Sequence, residues 1–194
     1  MKKYILLIIG FLPILSNAQE DGIGIRLGEP FSITYKKFLD DHIAIEGMFG
    51  GAGANSASYY QKSFDNNRPS PNAFYAGHST NSILSFNLRG AYHEDITDDL
   101  SIDQGYILGY FGVGAQLRTA QVDYAYTDSS LSQNTVFRES RTNIDFGPEA
   151  FGGAEYYFDE LPMSVFAEVG FFMELLDRFG HFRFQGAIGV RYIF

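Results

Sequence analysis

The chain has 194 residues, enough for one domain, with 45% hydrophobic residues, 21 glycines, 13 tyrosines, 19 phenylalanines and a formal charge of −9. That acidity argues against nucleic acid as a partner, because binding it rests on basic surface. Cysteine is absent, which excludes a disulfide framework, a thiolate nucleophile, a zinc–thiolate site and lipid attachment through sulfur.

The first element in chain order is not part of the fold. Lys2 and Lys3 precede an apolar run from Tyr4 to Leu15, and Ser16 and Ala18 set small residues before a cut at Gln19. Residues 1–18 thus have the pattern of a secretory signal peptide. A spanning helix needs about 20 apolar residues; this run is shorter and contains Pro13. Cleavage removes two lysines, takes the charge from −9 to −11 and leaves residues 19–194 as the exported domain. No later stretch is long and apolar enough for a spanning helix. A mature chain that enters lipid must therefore do so as a closed barrel, the other form that satisfies every backbone group there.

From Gly22 onward the dominant pattern is alternation with period two, the signature of strands with one apolar face. Ile23, Ile25 and Leu27 oppose Arg26; Ile33 and Tyr35 oppose Thr34 and Lys36; Ile43, Ile45 and Phe49 oppose Glu46. Leu84, Phe86, Leu88 and Tyr92 oppose Ser85, Asn87, Arg89 and His93, and Ile107, Phe111, Val113, Ala115 and Leu117 oppose Tyr106, Tyr110, Gln116 and Arg118. Between Asn143 and Phe158 the even positions are free of charge while the odd ones include Asp145, Glu149 and Glu155. Met163 to Leu175 sets Met, Val, Ala, Phe and Leu against Glu168 and Glu174. The closing "FQGAIGVRYIF" has an apolar phase and one carrying Arg183 and Arg191. On a helix these sets would mix; on a strand they separate to opposite faces.

The connections sort by length. Asp40 to His42, Asp95 to Leu100 and Asp159 to Pro162 are short and acidic, whereas Gln61 to Asn81 and Thr127 to Arg141 are long and polar. A shorter link lies at Leu175 to Gly180. Transmembrane barrels have this asymmetry, with tight periplasmic turns and longer external loops. Six strands follow the first acidic turn. An even total then requires residues 22–38 to form two strands with a turn at "GEPF" (Gly28 to Phe31), although the alternation would also fit one bent strand. The expected fold is all-β: an eight-stranded antiparallel transmembrane β-barrel of up-and-down topology.

The inward phase collects Arg26, Lys36, Arg89, Arg118, Arg183 and Arg191 against Glu46, Asp145, Glu149, Glu155, Glu168 and Glu174. Eight strands leave an interior that side chains just fill, and unpaired buried charges are very costly. The even balance predicts a plugged lumen with a structural charge network. A selective pore would favour a ring of one sign. Aromatic pairs near strand ends (Tyr59 and Tyr60, Tyr124 and Tyr126, Tyr156 to Phe158, Tyr192 with Phe194) are expected as interfacial girdles.

Signal peptide, "GIGIRLGEPFSITYKKFL", "AIEGMFGG", "FGGAEYYFDELPMSVFAEVGFF" and the closing "GAIGVRYIF" together resemble the small outer-membrane β-barrel (porin-like) proteins of Gram-negative bacteria. The resemblance implies location in the cell outer membrane, contact with its lipid, and insertion by the barrel-assembly machinery, which reads a final strand ending in an aromatic. Tyr192 and Phe194 would be that assembly signal. It supplies no catalytic residues, cofactor or metal site.

The chain's own chemistry agrees with a non-enzymatic role. His93 and Glu94, followed by Asp95, are adjacent, so on a strand His93 and Glu94 point to opposite faces and do not converge on a metal. His78 and Ser79 are adjacent, whereas a His-x-Ser spacing would align them for the lipid hydrolysis some outer-membrane barrels perform; Thr80 occupies that position. Glu168 and Glu174 lie six apart, about 20 Å along a strand, too far for a carboxylate pair. The expected function is a structural or surface-interaction role, with residues 61–81 as the surface for an extracellular ligand. The alternatives are a small porin passing solutes and, less favoured, a membrane-lipid hydrolase.

Overall fold

The computed structural model describes residues 21–194; the signal peptide expected at residues 1–18 lies outside them. Eight strands form a closed ring in chain order: β1 (Gly22–Gly28), β2 (Phe31–Phe38), β3 (Ile43–Gly51), β4 (Ala73–Asp95), β5 (Tyr106–Asp128), β6 (Ser132–Tyr157), β7 (Met163–Met173) and β8 (Phe182–Ile193). Every neighbour is antiparallel, and β1 closes onto β8 from Gly22↔Ile193 to Gly28↔Ala187. This is the expected eight-stranded up-and-down barrel. Residues 22–38 are two strands, turning at Glu29 and Pro30.

The alternation has an inverted outcome compared with a water-soluble fold. Apolar residues such as Ile33, Phe49, Leu88, Phe111, Val113, Val169, Phe184 and Ile188 are exposed on the outer wall, while Arg26, Arg118 and Arg191 are among the largest fully buried side chains. Strand β7 has 11 residues; at about 3.3 Å per residue and a tilt near 45°, such a strand covers an apolar band roughly 25 Å tall. Both described chain ends and the turns at 39–42, 96–105 and 158–162 lie at one end of the barrel, called here the near end.

The far end departs from the expected loops. Gln61 to Asn81 is not one polar loop. Its first part belongs to helix α1 (Ala57–Asn66), and residues from Ala73 onward are already β4. Thr127 to Arg141 is likewise not a loop, since β5 runs to Asp128 and β6 starts at Ser132. β4, β5 and β6 reach 23, 23 and 26 residues, so they continue past their neighbours as a three-stranded extension. The near-end turn expected to stop at Leu100 continues to residue 105. What distinguishes the far end is thus strand length together with one long connection, residues 52–72, that carries α1. There the outer phase turns polar, as at Gln121 and Asp123, while the inner one keeps Ala120, Val122 and Tyr124. Cross-strand pairing such as Asp123↔Ser140 and Tyr124↔Glu139 nevertheless holds the sheet.

The extension carries the buried apolar cluster of the molecule. Tyr59, Tyr60 and Phe64 of α1 pack on Ala73, Ala120, Val122 and Tyr124, with Tyr75, Ile83 and Tyr126 at the margin. Ser56 caps the helix, its hydroxyl accepting from the Tyr59 amide at 3.3 Å. Burying three aromatics at roughly 25 cal/mol per Å² holds a ten-residue helix that would be marginal alone.

Candidate functional site

The lumen is filled by three tiers of paired side chains, each supplied by facing strands. Nearest the chain ends, Arg191 of β8 donates to Glu155 of β6 at 2.6 Å and to Glu46 of β3, while Lys36 of β2 bonds Glu155 and the Tyr157 hydroxyl, the latter at 2.8 Å. Glu155 also accepts from Ser164. The Arg191 guanidinium lies 3.9 Å from the Phe166 ring centroid. That ring fits because position 189 is glycine; a Cβ there would collide with the ring edge.

The middle tier centres on Arg89 of β4. It makes a two-pronged contact with Glu149 at 2.7 and 3.0 Å, and a third bond to Glu168 at 2.8 Å. Arg26 of β1 donates to the same Glu168 oxygen at 2.8 Å, and the Tyr110 hydroxyl reaches its other oxygen at 3.3 Å. Asn87 completes Glu149 with bonds of 3.0 and 2.9 Å. Above it runs a neutral chain, Gln185 to Gln116 at 2.8 Å, Gln116 to Ser85 at 3.0 Å and Ser85 to Asn87 at 3.0 Å. Charge-assisted bonds of this geometry offset the desolvation that burial imposes.

The third tier closes the far mouth and includes the approach to α1. Arg118 of β5 bonds Asp145 of β6 at 3.0 Å, and both Arg118 and Arg183 of β8 donate to the Asn55 side chain, at 3.3 and 3.1 Å. The Gly53 carbonyl accepts from the same two arginines at 2.5 and 3.1 Å, and Arg183 pairs with Glu29 at 3.1 Å. Asn55 donates to Asp145 at 3.1 Å. The Tyr59 hydroxyl sits between two carboxylates, 2.9 Å from Asp145 and 2.8 Å from Glu174. Burial, with the Asp145 charge beside it, raises the Glu174 carboxyl to about 7, and burial foremost raises the Tyr59 phenol. Segment 52–66 thus stoppers the lumen, tied to the β1–β2 turn at Glu29, to β5, β6 and β8, and to the residue after β7.

All twelve charged residues singled out in the sequence face inward, and each has an oppositely charged or hydrogen-bonding partner. They form three groups: Lys36, Glu46, Glu155 and Arg191; Arg26, Arg89, Glu149 and Glu168; Arg118, Asp145, Glu174 and Arg183, the last joined through Asn55, Gly53 and Tyr59. Asn87, Tyr110, Gln116 and Gln185 share their inward phase and were legible from it. Asn55 and Tyr59 were missed; the signal for α1 was Ser56 as a cap, followed by Tyr60 and Phe64 at a four-residue spacing.

The girdle expectation is corrected in part. Tyr59, Tyr60 and Tyr124 are buried beneath or within α1's contact, and Tyr157 lies inside the lumen against Lys36. Tyr124 and Tyr157 take the inner face of their strands, and Tyr59 and Tyr60 lie on the side of α1 that packs on the extension. Tyr192 and Phe194 are exposed at the near end with ring centroids 6.4 Å apart, and the Phe194 amide bonds Asp21 at 3.0 Å.

His93 and His78 are placed apart from the neighbours in sequence that drew attention to them. His93 is buried between Phe38 and Tyr110 while Glu94 is exposed outside. His78 donates or accepts at Tyr75, 2.5 Å away, and lies 4.6 Å from the Tyr60 ring, on the face opposite Ser79. Among the described residues no group of three or more histidines and carboxylates is placed to hold a metal ion.

The sequence matches no family model and no curated protein. Among solved structures, the N-terminal β-barrel domain of OprF from Pseudomonas aeruginosa is similar, with a TM-score of 0.50 and 12% identity over 90% of this chain and 96% of that domain. Ail, the attachment invasion locus protein of Yersinia pestis, aligns at a TM-score of 0.46 and 9% identity over 90% of this chain and 94% of its own. The likeness to the OprF domain is one of fold.

Proposed function

We propose that this chain is an exported outer-membrane β-barrel of the Gram-negative envelope, with a structural or surface-interaction role and a lumen closed by paired charges. The observation that carries this is the inversion of the barrel. An apolar wall about 25 Å tall surrounds three tiers of buried ion pairs, with segment 52–66 seated in the far mouth. A lipid bilayer solvates such a wall; water does not. Tyr192 and the exposed Phe194 are the natural handle for an assembly machine, since β8 is the strand that must close onto β1. The far end would then face outward, and its surface for an extracellular ligand is the extension and α1, where Phe74, Leu131 and Val136 stand exposed.

The role is non-enzymatic and needs no cofactor. Planar-bilayer recording of purified full-length protein tests closure. A steady baseline without stepwise currents is expected, and reproducible single-channel steps would replace this reading with that of a small porin.

A further inference from the structure

We propose that α1 is a proton-dependent latch on the far mouth, held by a hydrogen-bond relay from Glu174 through Tyr59 to Asp145 that requires a proton on Glu174, and loosened when that proton leaves. The geometry sets the requirement. A phenol has one hydrogen and donates it to one acceptor, yet the Tyr59 oxygen is within 2.9 Å of Asp145 Oδ1 and 2.8 Å of Glu174 Oε1. One of the two contacts must run the other way, with a protonated carboxyl donating to the phenol oxygen.

The surroundings say which. Asp145 Oδ2 accepts from Arg118 Nη1 at 3.0 Å and from Asn55 Nδ2 at 3.1 Å, so it has cationic support as a carboxylate. Glu174 Oε1 has only the Arg178 backbone amide at 2.8 Å besides Tyr59. With the proton on Glu174 every bond is satisfied: Glu174 donates to Tyr59, Tyr59 donates to Asp145, and Arg118 and Asn55 support Asp145. Without it, two carboxylates compete for one hydrogen inside a buried pocket.

No neighbour restores the balance at alkaline pH. On α1 the adjacent group is Tyr60, edge-on to Tyr59 at 5.4 Å. After β7, Asp177 adds negative charge, the Arg178 guanidinium is 5.6 Å from the Tyr59 ring rather than on Glu174, and His181 at 5.2 Å is held by burial below its ordinary range and so is neutral above it. From β5 and β8, Arg118 and Arg183 are committed to Asp145 and Glu29.

The sign follows. Docking raises the Glu174 carboxyl from 4.5 to about 7. The latch is therefore at full strength below about 4.5, weakens as pH rises toward 7, and stays weak above. Within that window the docking equilibrium changes by up to about tenfold for each step of one in pH. Tyr60 and Phe64 keep apolar contact throughout, so the helix loosens rather than leaving its extension.

Amide hydrogen exchange of the full chain in lipid nanodiscs at pH 5 and pH 8, corrected for intrinsic exchange, tests this. Protection of residues 57–66 should fall tenfold or more at pH 8, with β7 and β8 unchanged. Glu174→Gln, whose amide donates to Tyr59 at any pH, should keep the pH 5 protection at pH 8. Tyr59→Phe should show low protection at both. Equal wild-type protection at the two pH values, or the same loss in Glu174→Gln as in wild type, would overturn the latch. The outcome is independent of conduction: channel currents would sink the closed-barrel reading and leave the latch standing.

Discussion

Replacing Arg89 by Met tests whether the lumen network holds the barrel together. The guanidinium makes three charge-assisted bonds, two to Glu149 and one to Glu168, while lying 4.3 Å from the Phe151 ring. Met keeps most of the apolar stem but leaves Glu149 with Asn87 alone, whereas Glu168 retains Arg26 and Tyr110. The damage therefore concentrates on one uncompensated carboxylate, and breaking a buried pair from one side costs about 3–5 kcal/mol. Adding Glu149→Gln removes that charge and should return at least ~1 kcal/mol, the scale of coupling between residues in direct contact. Equilibrium urea unfolding in lipid vesicles, followed by gel mobility and far-ultraviolet circular dichroism, measures both; no tryptophan is present to follow instead. Arg89→Met within ~1 kcal/mol of wild type, or a double variant no more stable than the single one, would refute a structural role for the network.

Two further outcomes check other parts of the molecule. Val113, 68% exposed on the wall, becomes costly as arginine only if that wall faces hydrocarbon; Val113→Arg should lower stability in vesicles by ~2–4 kcal/mol, and no change would argue for a water-facing wall. Phe64→Ala removes a fully buried ring between α1 and the extension. A buried Phe→Ala change costs ~3–5 kcal/mol, and here exchange protection should be lost across α1 while the β7–β8 pairing keeps its protection.

Much of the barrel was legible because the property that sorts its residues is local. Alternation decides which side chains point together, and the composition of each phase identifies one as apolar wall and the other as charged interior. The strands after the first acidic turn, their order and the inward direction of all twelve charges follow from counting along the chain; the split of residues 22–38 rested on the even strand number of such barrels, since the alternation alone also fits one bent strand. The signal failed where the outer face is no longer apolar. Beyond the band the outer phase turns polar, as at Thr119, Gln121 and Asp123, while apolar Ala120, Val122 and Tyr124 take the inner one, so the wall signal used for the other strands is absent there. The helix at 57–66 was hidden for a related reason: its apolar stripe is only three aromatics within a polar segment.

By itself the sequence determined an inside, an outside and a balance of charge between them, because a two-residue period is a property of neighbours. Which charges meet was decided by the closed sheet. Arg26 lies 142 residues from Glu168, and Arg191 lies 145 from Glu46, so only strand register and barrel closure bring them together. The same holds for the mouth. Glu174 differs from the deeper glutamates not in its phase but in what reaches it, a helix from 115 residues earlier whose single phenol hydrogen lies between two carboxylates.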